Sequence, residues 1–160
     1  MSVMSRQQYA LQLLNNNIRA YNLLKDVQGK RISKFLGYYS VSFNDRELIN
    51  DQECPLIMLM PIKGTILQKS PAVKVPSLNP QKVRDSVLET VDMLHQRNIF
   101  FPTLDLCKFM ISPSDMNPKV IGFSSTFDGM QYETEERRKH HVELCVAMLK
   151  DKLDKLGYVE

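Results

Sequence analysis

The sequence predicts a mixed α+β domain: three long helices packed with a small antiparallel sheet. Three observations carry this expectation. Apolar residues recur at spacings of three and four in three separate segments. Short apolar runs bounded by proline, glycine and polar clusters lie between those segments. The resulting order is helix, strand, strand, helix, strand pair, helix, which lacks the alternation of a parallel βα fold.

The first helix is expected over 6–26, with Leu11, Leu14, Ile18 and Tyr21 on one face. Gln28 and Gly29 should close it, because glycine accepts the left-handed conformation at a helix end. Residues 32–41 read as a strand, 44–53 as a hairpin-like loop, and 55–60 as a second, buried strand. Pro61 and Gly64 break that strand, 65–69 form a short turn, and the proline-bearing 70–78 form a surface connection. Asn79 followed by Pro80 marks a helix start, since Asn can cap and Pro fits the first helical position. Val83, Val87, Val91 and Leu94 supply its buried stripe, and it ends near His95. Two short strands follow over 106–111 and 119–123, joined by the turn-rich 112–118, and 124–132 has no regular pattern. The last helix starts near Thr134, with Glu135 and Glu136 favourably placed in its first turn. Val142, Cys145, Val146, Leu149, Leu153 and Leu156 form its stripe before Gly157 stops it.

At 160 residues the chain fits one domain over 1–160, large enough to bury a core. Its 21 basic and 18 acidic residues are mixed along the chain, so the net charge of +3 does not suggest a nucleic-acid interface. Lys25, Lys30, Arg31 and Lys34 read as a solvated face rather than a phosphate track. Residues 1–10 are polar, which predicts no signal peptide, and no run is long enough to span a membrane. Cys54, Cys107 and Cys145 show no metal-ligand spacing. Reduced thiols in a cytoplasmic protein are the simplest expectation, with Cys107 and Cys145 in the core. The methionines Met58, Met60, Met110 and Met148 are expected to fill the core.

Three segments resemble the protein-kinase-like superfamily, and within it small fungal kinase-like proteins related to aminoglycoside phosphotransferases. Asn17-Ile-Arg-Ala-Tyr21, then Val27-Gln-Gly29, Ile32 and Phe35-Leu-Gly-Tyr-Tyr39, resemble the family's first conserved helix and the strand after it. Residues 56–60 with Pro61-Ile-Lys-Gly64 resemble the strand and hinge that hold an adenine ring, so Met60, Pro61 and Gly64 mark a hinge-like pocket. Leu94-His95, Asn98-Ile99, Phe109-Met-Ile111 and 120–123 resemble the catalytic-loop and metal-loop frame.

The resemblance implies a minimal kinase-like fold that lacks the first strands of the N-terminal lobe. It also implies where phosphoryl transfer would be carried out, and those positions hold the wrong residues. The helix Glu falls on Asn17, the catalytic-loop His on Phe101, the catalytic Asp on Thr103, the magnesium Asn on Lys108 and the metal-loop Asp on Gly122. Kinase chemistry depends on those charges to position and neutralise phosphate. A fixed cation at Lys108 would oppose a magnesium ion, and Gly122 removes a metal-bridging carboxylate. The expectation is a pseudokinase, with no cofactor and no metal; Asp105, two residues past the expected position, and Asp128, in an irregular segment, are the candidates for a displaced acid.

Other groupings have plainer readings. His140 and His141 are adjacent on a helix, where neighbours diverge by about 100° and cannot chelate one ion together. His95 with Asp92 fits a structural hydrogen-bonding role, and Cys107 has no activating neighbour in the sequence. Tyr38 and Tyr39 are interaction candidates. Loss of the early strands should uncover a sheet edge and one face of the first helix. A protein partner, either a second copy or a kinase-like relative, would cover them. The alternative is a small phosphotransferase with a remodelled pocket.

Overall fold

The computed structural model describes residues 6–42, 53–74, 77, 79–112 and 115–159. The expected hairpin-like loop therefore falls almost wholly outside the described residues, as do parts of the 70–78 connection and the 112–118 turn.

Helix α2 (Pro80–Gln96) is the central element, and it forms where the sequence places it. Pro80 occupies the first turn, and the Asn79 side chain accepts from the Lys82 backbone N–H at 3.0 Å. Val83, Val87, Val91 and Leu94 are all essentially sequestered from solvent. Helix α3 (Glu135–Lys155) is capped by Thr134 and buries Cys145, Leu149 and Leu153. It stops at Gly157, whose φ of +84° suits glycine. Arg84 of α2 bonds Asp154 of α3 and the Tyr158 carbonyl, which joins the two helices.

Helix α1 (Arg6–Leu23) is rotated from the expected face. It buries Asn17, Ala20 and the expected Tyr21, with Leu24 buried just past its end; Leu14 and Ile18 are half-buried and Leu11 stays 44% exposed. A polar and a small residue occupy the contact, which hydropathy alone does not mark. A 3₁₀ turn (Lys25–Val27) follows it. Gln28 then joins helix to strand: its side chain donates to the Tyr21 carbonyl at 2.9 Å and accepts from Phe35 N–H at 3.0 Å.

Among the described residues the strands form three small antiparallel sheets rather than one. Strands β1 (Phe35–Ser42) and β2 (Glu53–Leu59) make a two-stranded ribbon, with an irregularity between Phe35 and Gly37. Strands β3 (Thr65–Ile66), β5 (Phe109–Ser112) and β6 (Asp115–Val120) form the second sheet, with β5 central. Strands β4 (Ile99–Phe100) and β7 (Phe127–Asp128) form the third, and neither was expected. At two residues each, they are too short to show a period.

Two strand boundaries are corrected. Ile32 forms isolated bridges with Gln28 and Val120 and lies outside β1, whereas β6 ends at Val120 instead of Phe123. The chain must leave the sheet there so that Gly122 can adopt φ +72°. The core gathers Tyr21, Leu24, Ile32, Leu67, the α2 stripe, Ile99, Phe101, Phe109, Val120, Phe123, Leu149 and Tyr158.

Candidate functional site

Residues 121–123 form the point where the expected catalytic positions meet. The Asn17 side chain accepts from the Phe123 backbone N–H at 3.0 Å and donates to the Leu13 carbonyl at 2.9 Å. Asn17 is only 8% exposed, so it serves as a buried bracket between α1 and this segment. The Phe123 ring packs edge-on against Tyr21, with ring centres 5.3 Å apart, and lies 6.0 Å from Phe101. The Lys108 carbonyl accepts from Ile121 N–H at 2.8 Å, beside Gly122. Asn17, Phe101, Lys108 and Gly122 are thus brought together by an apolar, hydrogen-bonded junction. Thr103 lies apart from it on an exposed bend.

Both candidate displaced acids are engaged elsewhere. The Asp128 side chain bonds Arg19 of α1 and accepts from Met130 N–H at 3.0 Å. Arg19 also donates to the Asn98 carbonyl at 3.3 Å, at a residue held at φ +57°. The Asp105 carboxylate accepts from Lys152 of α3 at 2.7 Å and from Leu106 N–H at 2.6 Å. Each acid therefore ties a loop to a helix.

A cleft of about 310 Å³ opens between α1 and the segments flanking these positions. Tyr9, Gln12, Leu13 and Asn16 line one side, and Pro102, Ser124, Ser125, Thr126, Phe127 and Gln131 line the other. None of these is an acid, a lysine, an arginine or a histidine. Asn16 spans the cleft by donating to the Ser124 carbonyl at 2.9 Å. The lining can hydrogen-bond and stack, but it offers no charge to a phosphate and no carboxylate to a metal.

The hinge-like residues separate. Met60 and Pro61 line a second cleft, of about 250 Å³, with Gly29, Ile32, Ser33, Lys34, Ile62, Lys63, Ser112 and Lys119. Gly64 is not among its lining residues: a Cβ there would run into the Ile111 carbonyl oxygen, so its role is to let β3 approach β5. Within the basic group read as one solvated face, Lys34 belongs to this cleft. Arg31 is drawn inward, bonding the Ser86 hydroxyl at 2.6 Å, Thr90 at 3.2 Å and Glu89 at 2.7 Å.

Tyr38 and Tyr39 are both exposed, at 52% and 46%. Gly37 and Met58 face each other across β1 and β2, and Tyr39 lies two residues further along the same side. The Tyr39 ring lies over Gly37, where a Cβ would sit 2.9 Å away. Met58 and Met60 are about half exposed and Met148 is 38% exposed, so three of the four expected core methionines reach the surface. On the ribbon this happens because no described element covers its outer face.

The histidines divide differently from expectation. His140 is exposed, but His141 packs against Phe100, Phe127 and Tyr132. Its Nε2 lies 3.0 Å from the Phe101 carbonyl and 3.2 Å from Cys145 Sγ. The sulfur–imidazole pair therefore involves Cys145 and not Cys107. Burial pushes the Cys145 thiol up, against an opposing hydrogen bond from the Leu104 backbone, so it is held as thiol and is a poor nucleophile. His95 is buried and stacked on Phe100 at 4.9 Å, and its Nδ1 has no hydrogen-bond partner among the described residues. The expected structural role becomes stacking rather than hydrogen bonding at that nitrogen. No group of three or more His, Cys, Asp or Glu among the described residues could hold a metal, and no helix among them is long and apolar enough to cross a membrane.

No known family model matches the chain, and no curated protein matches it by sequence. Solved structures do. A structure of WbdD at 2.2 Å superposes with a TM-score of 0.52 at 10% identity, covering 100% of this chain and 39% of that one. A second, described as the bifunctional kinase-methyltransferase WbdD, gives 0.51 at 11% identity, covering 99% of this chain and 38% of that one. This chain has a mixed α+β fold with a kinase-like structural neighbour. At this identity the likeness concerns fold alone, and the chain spans well under half the length of the neighbour.

Proposed function

We propose that this chain is a pseudokinase of the protein-kinase-like superfamily: it transfers no phosphoryl group and acts in the cytoplasm by binding other proteins, as a regulator, scaffold or decoy. The observation that carries this reading is the uncharged cleft between α1 and 124–127. Phosphoryl transfer works by positioning and by neutralising charge, with a base for the incoming hydroxyl and carboxylates for magnesium. The cleft beside Phe123 has neither among its described lining residues, and Asp105 and Asp128 are committed to Lys152 and Arg19.

The partner surface in this reading is the β1–β2 ribbon with the outer side of α1. Among the described residues β1 pairs with β2 alone, leaving an eight-residue edge with Leu36, Tyr38 and Tyr39 exposed beside it. Tyr9, Leu11 and Leu23 add exposed apolar area on α1. A second copy is the occupant we favour. Two identical edges pairing antiparallel across a two-fold axis are self-complementary and close at two chains.

Thermal unfolding with ATP, alone and with magnesium or manganese, tests the catalytic half of this reading. A ligand bound to the native state at a hundredfold excess adds about 2.7 kcal/mol, a shift of several degrees. We expect none at millimolar nucleotide; a metal-dependent rise would show that the phosphotransferase alternative is right. Light scattering tests the dimer. A mass of one chain at tens of micromolar would remove the second copy as partner.

A further inference from the structure

The cleft between α1 and 124–127 lacks the charge that phosphoryl transfer needs, and its lining suits a different ligand. Its α1 wall is Tyr9, Gln12, Leu13 and Asn16, the i, i+3, i+4, i+7 spacing of one helix face. That face runs about 10 Å along the axis, at about 1.5 Å per residue. The opposite wall is held in place. Asn16 donates to the Ser124 carbonyl at 2.9 Å, and the Thr126 hydroxyl donates to the Phe123 carbonyl at 2.6 Å. The Phe127 ring packs on Phe100 and Tyr132, with ring centres 5.9 and 5.5 Å away. The cleft of about 310 Å³ is thus preformed, which leaves little ordering to oppose binding.

Two kinds of group line it. Tyr9, Leu13, Pro102 and Phe127 present rings and apolar surface. Gln12, Ser125 and Gln131 are exposed, and each carries an N–H or O–H donor. A ligand that matches this pairing has apolar rings, carbonyl acceptors, few donors and no charge. A proline-rich segment has all four. Proline has no backbone N–H, its ring is apolar, and its carbonyls stay unpaired in the extended polyproline II helix. One turn of that helix, three residues, rises about 9 Å, close to the length of the α1 face. A polyol would instead leave hydroxyls unpaired against Leu13 and Pro102. An acidic or basic peptide finds no counter-charge among the described lining residues.

We propose that this cleft binds a proline-rich segment of a partner protein in the polyproline II conformation. Its rings lie on Tyr9, Leu13, Pro102 and Phe127, and Gln12, Ser125 and Gln131 donate to its carbonyls. Aromatic surface receives a ligand helix that is already extended, so affinity comes at a small entropic cost. The inference rests on the reading of this chain as a protein-binding module and names the chemistry of one partner segment.

The test titrates the full chain into fluorescein-labelled decaproline, followed by anisotropy. A Gly-Ser decapeptide is the control and maltotetraose the competitor. Decaproline should bind saturably and at least about tenfold more tightly than the Gly-Ser peptide. Its affinity should change less than about twofold between about 0.05 and 0.5 M salt, because no charge takes part. Tyr9→Ala should weaken it about fivefold or more. Gln12→Glu, which keeps the size and replaces a donor by a carboxylate, should weaken it several-fold. Both side chains are exposed, and unfolding midpoints report that the variants fold. In a ¹⁵N-labelled chain, the side-chain amide signals of Gln12 and Gln131 should shift as decaproline is added. No binding, equal binding of the two peptides, steep salt dependence, indifference to Tyr9→Ala or unmoved amide signals would overturn the proposal. Displacement by maltotetraose would overturn it in favour of a saccharide. Failure of decaproline with a two-chain mass and no response to ATP would remove this site alone, and failure together with a metal-dependent ATP response would remove the protein-binding reading as well.

Discussion

His95 is buried without a hydrogen-bond partner at Nδ1 among the described residues, and this makes the stability of the chain depend on pH in a way that can be worked out. It lies on α2 with its ring stacked on Phe100. From α3, His141 and Arg138 face it; the Arg138 guanidinium sits 5.5 Å from the Phe100 ring centre. Burial is the main cause that moves its pKa from 6.5 down to about 4, with His141 and Arg138 adding to the fall and Asp92, on its own helix, opposing it. The native chain therefore keeps His95 neutral where the unfolded chain takes up a proton. Above pH 6.5 both states are neutral and the group has no effect. Between 6.5 and about 4 the unfolded state binds more protons, so stability falls as pH falls; below 4 both are charged and the loss levels off. The full displacement corresponds to about 3 kcal/mol, a large share of a domain's stability. Urea unfolding of the wild-type chain and H95Q at pH 7.5, 6.5, 5.5 and 4.5 isolates the effect, because other carboxylates and histidines titrate in both proteins. The stability difference between the two should shrink or reverse by up to about 3 kcal/mol over that range. Parallel curves would refute the argument and show that His95 finds a proton acceptor in the native state.

Three further outcomes are expected. Asn17→Ala removes the acceptor of the buried Phe123 N–H and should lower stability by about 1–3 kcal/mol in urea, and Asn17→Asp should do no better because it loses the donor to Leu13. Gly64→Ala should cost about 1–3 kcal/mol, since its Cβ would meet the Ile111 backbone, an obstacle that no rotamer change relieves; calorimetry reads it. Cys145 should resist a thiol reagent in the native chain at pH 8 and react only at the rate of unfolding, whereas half-buried Cys107 reacts faster, as peptide mapping after labelling would show.

The five positions Asn17, Phe101, Thr103, Lys108 and Gly122 came from a resemblance to a family pattern; the structure brings four of them near residues 121–123 and leaves Thr103 on an exposed bend. What Asn17 does there was not legible, because a polar residue in a helix gives no sign of which backbone group it will meet. Asp105 and Asp128 remained open as acids for the same reason, since their partners Lys152 and Arg19 lie 47 and 109 residues away in sequence. The cleft beside Met60 draws its lining from several separate segments, and of the basic group around Lys34 the fold turns Arg31 inward to Ser86, Thr90 and Glu89.

The sequence by itself determined the long α2 and α3 helices, their caps at Asn79 and Thr134, their stop signals and their buried stripes. These depend on contacts within a few residues and on a period that hydropathy records. Only the tertiary structure decided which face of α1 turns inward, where the two-residue strands β4 and β7 pair, and which methionines reach the surface. Each of those depends on what a distant segment places opposite. Asn17 becomes buried because the Phe123 N–H lies opposite its side chain, and Met58 becomes surface because no described element covers its side of the ribbon.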